Sequence, residues 1–186
     1  VDIADGGKNL IRVRDDGDGI VAGDLSLALS RHATSKIEHF DDLERVASLG
    51  FRGEALPSIA AVSRMNITSC HNGAESGYTV RCDGGNITET QPKAHPQGTT
   101  VEIHDLFFNT PARRKFLRTD KTEFQHIETV MQRLALSHFN AAVSLQHNQR
   151  MVFNCPIASS ANAKDHRVAT MLGTAFIEHA FKIEFS

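Results

Sequence analysis

Three carboxylates and two glycines crowd the run Arg14-Asp15-Asp16-Gly17-Asp18-Gly19-Ile20, which directly follows an alternating stretch that reads as a strand. Taken alone, Gly17-Asp18-Gly19-Ile20-Val21-Ala22 fits the GxGxx[GA] pattern of a dinucleotide-binding turn. Electrostatics opposes that reading, because Asp15, Asp16 and Asp18 would each repel the pyrophosphate that such a turn seats. The sequence after residue 31 also lacks the prompt second parallel strand that a βαβ unit requires. A carboxylate at a strand end followed by two spaced glycines suits a different task. It can accept a hydrogen bond from the amino group of an adenine while the backbone comes close to the ring. A simple acidic turn is the other reading of the same residues.

A second constellation is Gly50-Phe51-Arg52-Gly53-Glu54-Ala55-Leu56. Two glycines three residues apart, opening onto a helix, can turn backbone N–H groups towards a phosphate, and Arg52 adds positive potential. The chain has no GxxxxGK[ST], so this is not a P-loop; a tight turn with Glu54 in the first helical turn is the plain alternative. A third is the basic run Pro111–Lys121, where Arg113, Arg114, Lys115, Arg118 and Lys121 face one acid, Asp120. It reads equally as a solvated helix face or as an anion or DNA contact. The ten histidines include no HExxH or HxxxH spacing, and the three cysteines, Cys70, Cys82 and Cys155, include no CxxC pair. Neither set predicts a metal site, and the cysteines are expected to be free thiols.

The elements needed to hold these groups can be read from periodicity. Val1–Ala4 and Leu10–Arg14 predict a hairpin around Asp5-Gly6-Gly7; Leu25, Ala28 and Leu29 predict a helix ending near Arg31; Asp41–Val46 predicts another short helix. Glu54–Val62 predicts a helix with Pro57 in its first turn. Strands follow at 64–70, 77–82, 86–91 and 99–104, with Gly84-Gly85 as a turn. Pro111 predicts a helix start, and Asp120 with Glu123 predicts a capping box for a helix that aligns Phe124, Ile127, Met131 and Leu134. A last hairpin around Asn148 precedes a run rich in Ala, Ser and Asn, then a helix near 165–172 and a strand near 180–185. The hydrophobic content of 40% supports one good-sized core, and the net charge of −2 confines any nucleic-acid contact to a local patch. No signal peptide or apolar span of roughly 20 residues occurs, which makes a cytoplasmic, membrane-free protein the default expectation.

In chain order, DxGxG at Asp15, Arg31-His32-Ala33-Thr34-Ser35-Lys36, GFRGEAL at 50–56, Gly98-Thr99-Thr100 and Asn109-Thr110-Pro111-Ala112-Arg113-Arg114-Lys115-Phe116 resemble the MutL family of the GHKL ATPase superfamily, closest in its bacterial form. The resemblance covers essentially the whole chain. It implies an α/β Bergerat fold, a two-layer sandwich of helices on a mixed sheet. It also implies an ATP site in which Asp15 contacts adenine, Thr99 supports it and Gly17 and Gly19 line the pocket. Lys36 and the lid Gly50, Phe51, Arg52 and Gly53 would lie near the phosphates. The implied role is DNA mismatch repair by a slow ATPase. ATP binding would close a homodimer that relays recognition from a MutS-type mismatch sensor to a downstream nuclease and helicase acting on DNA.

The family places a water-activating Glu four residues before a magnesium-binding Asn, upstream of the Asp15 motif; no Glu of this chain has Asn four residues later. The expectation is therefore an N-terminally truncated ATP-binding domain over 1–155 without a catalytic residue or metal ligand, a linker over 156–164, and the start of a second α+β domain over 165–186. Loss of the covering helices would leave apolar surface exposed. A nucleotide-independent DNA or protein scaffold, using residues 113–121, is the competing function.

Overall fold

The computed structural model describes residues 1–31 and 53–180. The chain divides into two compact units, one running from Gly7 to Arg118 and the other made of Val1–Gly6 with the chain from Thr119 onward.

The first unit is built on antiparallel strands. β2 (Leu10–Asp15) pairs with β7 (Gly98–His104), β7 with β3 (Arg64–Cys70), and β3 with β4 (Tyr78–Asp83). Because side chains alternate across a strand, this register sorts the sequence into two faces. One face carries the row Ile11, Ile103, Met65, Cys82 and then the row Val13, Val101, Ile67, Val80. Leu25, Leu29 and Ala60 pack with these rows to form the core. Val13, on the same face, remains 42% exposed. The other face carries Arg12, Glu102, Asn66 and Arg81 in one row. Burial of Glu102 would raise its carboxyl, but bonds from Arg12 (2.8 Å) and Asn66 (3.1 Å) outweigh burial and hold it below its ordinary value.

Several expectations shift. The predicted helix before Arg31 is instead two 3₁₀ turns, Ala22–Asp24 and Leu27–Leu29. Gly23 weakens a helix there, and neither turn has a side-chain cap. The 86–91 strand splits into β5 (Asn86–Ile87) and β6 (Gln91–Pro92), both paired to β4. Between them the Thr88 hydroxyl bonds the Arg81 carbonyl, replacing the regular ladder. Helix α1 (Ala55–Ala60) forms with Pro57 at its third residue, and α2 (Pro111–Arg114) begins at the proline, as read. The short helix over Asp41–Val46 lies outside the described residues.

In the second unit β1 (Asp2–Ala4) runs parallel to β8 (Val143–His147), which pairs antiparallel with β9 (Arg150–Cys155), so pairing in the chain is mixed. Asn148 and Gln149 both take positive φ, 49° and 65°, the geometry that matches a tight turn to strand twist. Helix α3 (Asp120–Ser137) is capped one residue earlier than expected: Thr119 accepts from the Thr122 N–H, leaving Asp120 inside the first turn. Its buried stripe includes Met131 and Ala135, while Leu134 is exposed. Phe124 stacks on His147, with ring centroids 3.8 Å apart.

Helix α4 (Ala161–Leu172) starts four residues before the predicted 165, because Ser160 caps it through the Ala163 N–H. α5 (Thr174–His179) follows after Gly173 and was not read from the sequence; the strand near 180–185 lies outside the described residues but for Ala180. On α4, Arg167 is only 3% exposed and donates to the carbonyls of Ala135, His138, Ala141 and Pro156. The first two belong to the end of α3, where the helix dipole favours a cation. All three cysteines are free and buried, and burial pushes the thiols of Cys82 and Cys155 upward.

Candidate functional site

One row further along the core face of the first unit, the apolar pattern stops. Asp15 on β2, Thr99 on β7, Ser69 on β3 and Tyr78 on β4 stand side by side. A row with a carboxylate and three hydroxyls at the end of an apolar face is the arrangement of a site: an apolar wall for a ring, with directional polar groups at one rim.

Asp15 ends its strand with its carboxylate turned back on the chain. Its Oδ1 accepts from Gly17 N–H (3.0 Å) and from Thr99 N–H (3.3 Å), whereas Oδ2 has no partner among the described residues. Thr99 is buried, and its hydroxyl lies 2.9 Å from that of Ser69. Ser69 also accepts from Ile20 N–H at 2.7 Å and meets the Gly98 carbonyl at 3.0 Å. The loop after Asp15 is thereby tied to β3, an attachment continued by Asn72 N–H to the Asp18 carbonyl (2.8 Å).

The two spaced glycines have demands from the protein itself. Gly19 sits at φ 73°, and a Cβ there would stand 2.1 Å from the Cys70 carbonyl oxygen. Gly98, at φ 112°, would bring a Cβ to 2.2 Å from the Asp15 carbonyl oxygen. Only glycine lets these backbones meet and so bring Asp15 and Thr99 together. Gly17 is tight against Asp15 Oδ1, at 3.1 Å for its Cβ position.

Of the residues singled out from sequence, Asp15, Gly17, Gly19 and Thr99 thus come together. Gly53 lies just before α1 with φ 61°. Lys36, Gly50, Phe51 and Arg52 lie outside the described residues. Ser69 was missed. Its signal was there: in Met65, Ile67, Ser69, a polar residue takes the third place of an apolar alternation.

The antiparallel pairing of β2 with β7 replaces the parallel neighbour a dinucleotide-binding βαβ unit would need. The basic segment belongs to the other end of the sheet. Asn109 bonds the Ala61 carbonyl (2.9 Å) and Phe107 N–H the Val62 carbonyl (2.7 Å), next to the start of β3. Thr99 and His104 are five residues apart on β7, about 17 Å along an extended strand.

No protein-family model matches the chain. Over all 186 residues it is 52% identical to the DNA mismatch repair protein MutL of Coxiella burnetii (strain CbuG_Q212), spanning 32% of that protein. Over 185 residues it is 53% identical to the protein of the same name from Azotobacter vinelandii, spanning 29% of it. The chain therefore covers about a third of the length of these curated relatives. The solved Aquifex aeolicus MutL ATPase domain complexed with ADP matches with a TM-score of 0.71 and 31% identity, over 94% of this chain and 60% of that one. A crystal structure of the N-terminal domain of a DNA repair protein matches with a TM-score of 0.72 and 28% identity, over 93% of this chain and 51% of the other. Identity above one half along the whole sequence, joined to the same fold, places the chain in the MutL family, with the α/β fold of that family's ATPase domain.

Proposed function

We propose that this chain is the ATP-binding part of a protein of DNA mismatch repair, with the adenine base read at Asp15. The observation that carries the reading is the row of Asp15, Thr99 and Ser69 at the end of an apolar face, with Asp15 Oδ2 left as an acceptor. The solved relative of the same fold was complexed with ADP. Gly17 and Gly19 hold the loop beside the base, while Lys36 and the run Gly50, Phe51, Arg52 and Gly53 bind the phosphates. In the longer protein, ATP binding closes a homodimer, which relays a signal from a MutS-type mismatch sensor to a nuclease and a helicase on DNA.

Magnesium would neutralise the phosphates. Among the described residues no three His, Cys, Asp or Glu side chains gather as a metal site. What this chain's residues supply is recognition of the base and restraint of the loop. Among the described residues no helix is long and apolar enough to cross a membrane.

Asp15→Asn in the full-length protein tests the assignment. The change replaces a charged acceptor by an amide and is expected to weaken ATP binding by roughly 1.5 to 3 kcal/mol, the scale of a hydrogen bond to a charged group. Calorimetry that finds the same affinity in both proteins rejects it. The competing scaffold reading predicts no saturable ATP binding in the unaltered protein.

A further inference from the structure

We infer that Ser69 is a positioning residue that sets the direction of the Thr99 hydroxyl proton and thereby leaves Asp15 and Thr99 as acceptors towards the base. This rests on the assignment of adenine to Asp15 and goes one step further into the site, to a residue on a different strand.

The inference follows from counting protons. The Ser69 oxygen has three neighbours: Ile20 N–H at 2.7 Å, the Gly98 carbonyl at 3.0 Å and the Thr99 hydroxyl at 2.9 Å. The first can only donate, so it takes one lone pair of the serine. The carbonyl can only accept, so it needs the single serine proton. With that proton used, the contact to Thr99 is a hydrogen bond only when Thr99 donates. The reverse arrangement, with Ser69 donating to Thr99, leaves the Gly98 and Ser69 oxygens facing each other at 3.0 Å with no proton between them. Ser69 is 1% exposed, so water cannot readily make good the loss.

Thr99 then has only lone pairs to offer. Asp15 is in the same position: Oδ1 already takes the N–H groups of Gly17 and Thr99, and Oδ2 is an acceptor without a donor among the described residues. A base with an amino group at this rim meets acceptors that match it. A 6-oxo purine brings an oxygen to the same place and receives no proton from Asp15 or Thr99. Ser69 thus contributes to the choice of base without touching it.

The test compares ATP with inosine triphosphate, which carries oxygen in place of the 6-amino group, in calorimetric titrations of the full-length protein. Ser69→Ala frees the Thr99 proton to turn towards the ligand. The ratio of ATP to inosine triphosphate affinity is then expected to fall about tenfold, the effect of one hydrogen bond gained by the wrong base. Made in a Thr99→Val background, where there is no hydroxyl proton to redirect, the same substitution should leave the ratio unchanged. A proportional loss for both nucleotides in Ser69→Ala, or an equal fall of the ratio in both backgrounds, overturns the inference and leaves Ser69 a structural residue. If the unaltered protein binds no ATP, the adenine assignment itself fails, and this inference with it. Should Ser69→Ala fail to fold, neutron diffraction of the unaltered protein decides. A deuteron on Thr99 aimed at Ser69, with the serine deuteron aimed at Gly98, supports the wiring; a Thr99 deuteron aimed elsewhere refutes it.

Discussion

Asp15 uses one carboxylate oxygen for the fold, and the proposed function gives the other to the ligand. Oδ1 closes the turn after β2 and holds the β7 backbone, while Oδ2 has no donor among the described residues. A single side chain serves both ends because β2 stops there, so the carboxylate stands beyond the last apolar row. Arg167 is the opposite case, a charged group given wholly to structure. Its guanidinium meets four backbone carbonyls and lies 5.5 Å from the centre of the Phe139 ring. Arg167→Leu would leave those buried carbonyls without donors, and the expected loss of stability is about 3 kcal/mol, a few hydrogen-bond penalties combined. Chemical denaturation measures it. A midpoint within error of the original would mean that the carbonyls find other donors and that the cation is dispensable.

At the scale of elements, β7 organises the first unit. Its Gly98 end carries the row of Asp15, Thr99 and Ser69, and the segment leaving its His104 end runs into α2 and the basic run. The side chains of Arg113, Arg114 and Lys115 are exposed, and Phe116 beside them is 85% exposed. A brace for the fold would bury such groups or pair them. If these cations touch DNA phosphates, replacing Arg113 and Arg114 by Ala should lessen the slope of log affinity against log salt by about 2, close to one counterion for each contact. The melting temperature should change little. A lower melting temperature with an unaltered salt slope would assign the segment to bracing instead.

For the whole molecule, the groups proposed to recognise a base lie within this chain, whereas no Glu of the sequence has an Asn four residues later. On a helix that spacing would put a general base and a metal ligand on one face. The 186-residue chain by itself is accordingly expected to release phosphate from ATP only at background rate. Removal of a general base costs roughly 10²- to 10⁴-fold, and loss of the metal compounds it. The comparison is with full-length protein at matched concentration. Equal rates, abolished by Asp15→Asn, would put the base within these residues and overturn this account.

The sequence by itself determined the strands β2, β3, β4 and β7, since an alternation of apolar residues needs only a period of two to be seen. It determined the helix start at Pro111 and the tight turn at Asn148, where local backbone chemistry decides. Through the family words that carry them it pointed to Asp15, Gly17, Gly19 and Thr99, which the fold brings together. The register across strands was decided only by tertiary structure: Ser69 gained its role by standing opposite Thr99, 30 residues away in sequence. The same holds for Gly98, whose need for φ 112° arises from the Asp15 backbone it meets. Arg167 is buried only because α3, β9 and the segments beside them close around it. Local periodicity tells a residue which way to face; what it faces depends on long-range pairing, and that is where hydrogen-bond partners and buried charges are settled.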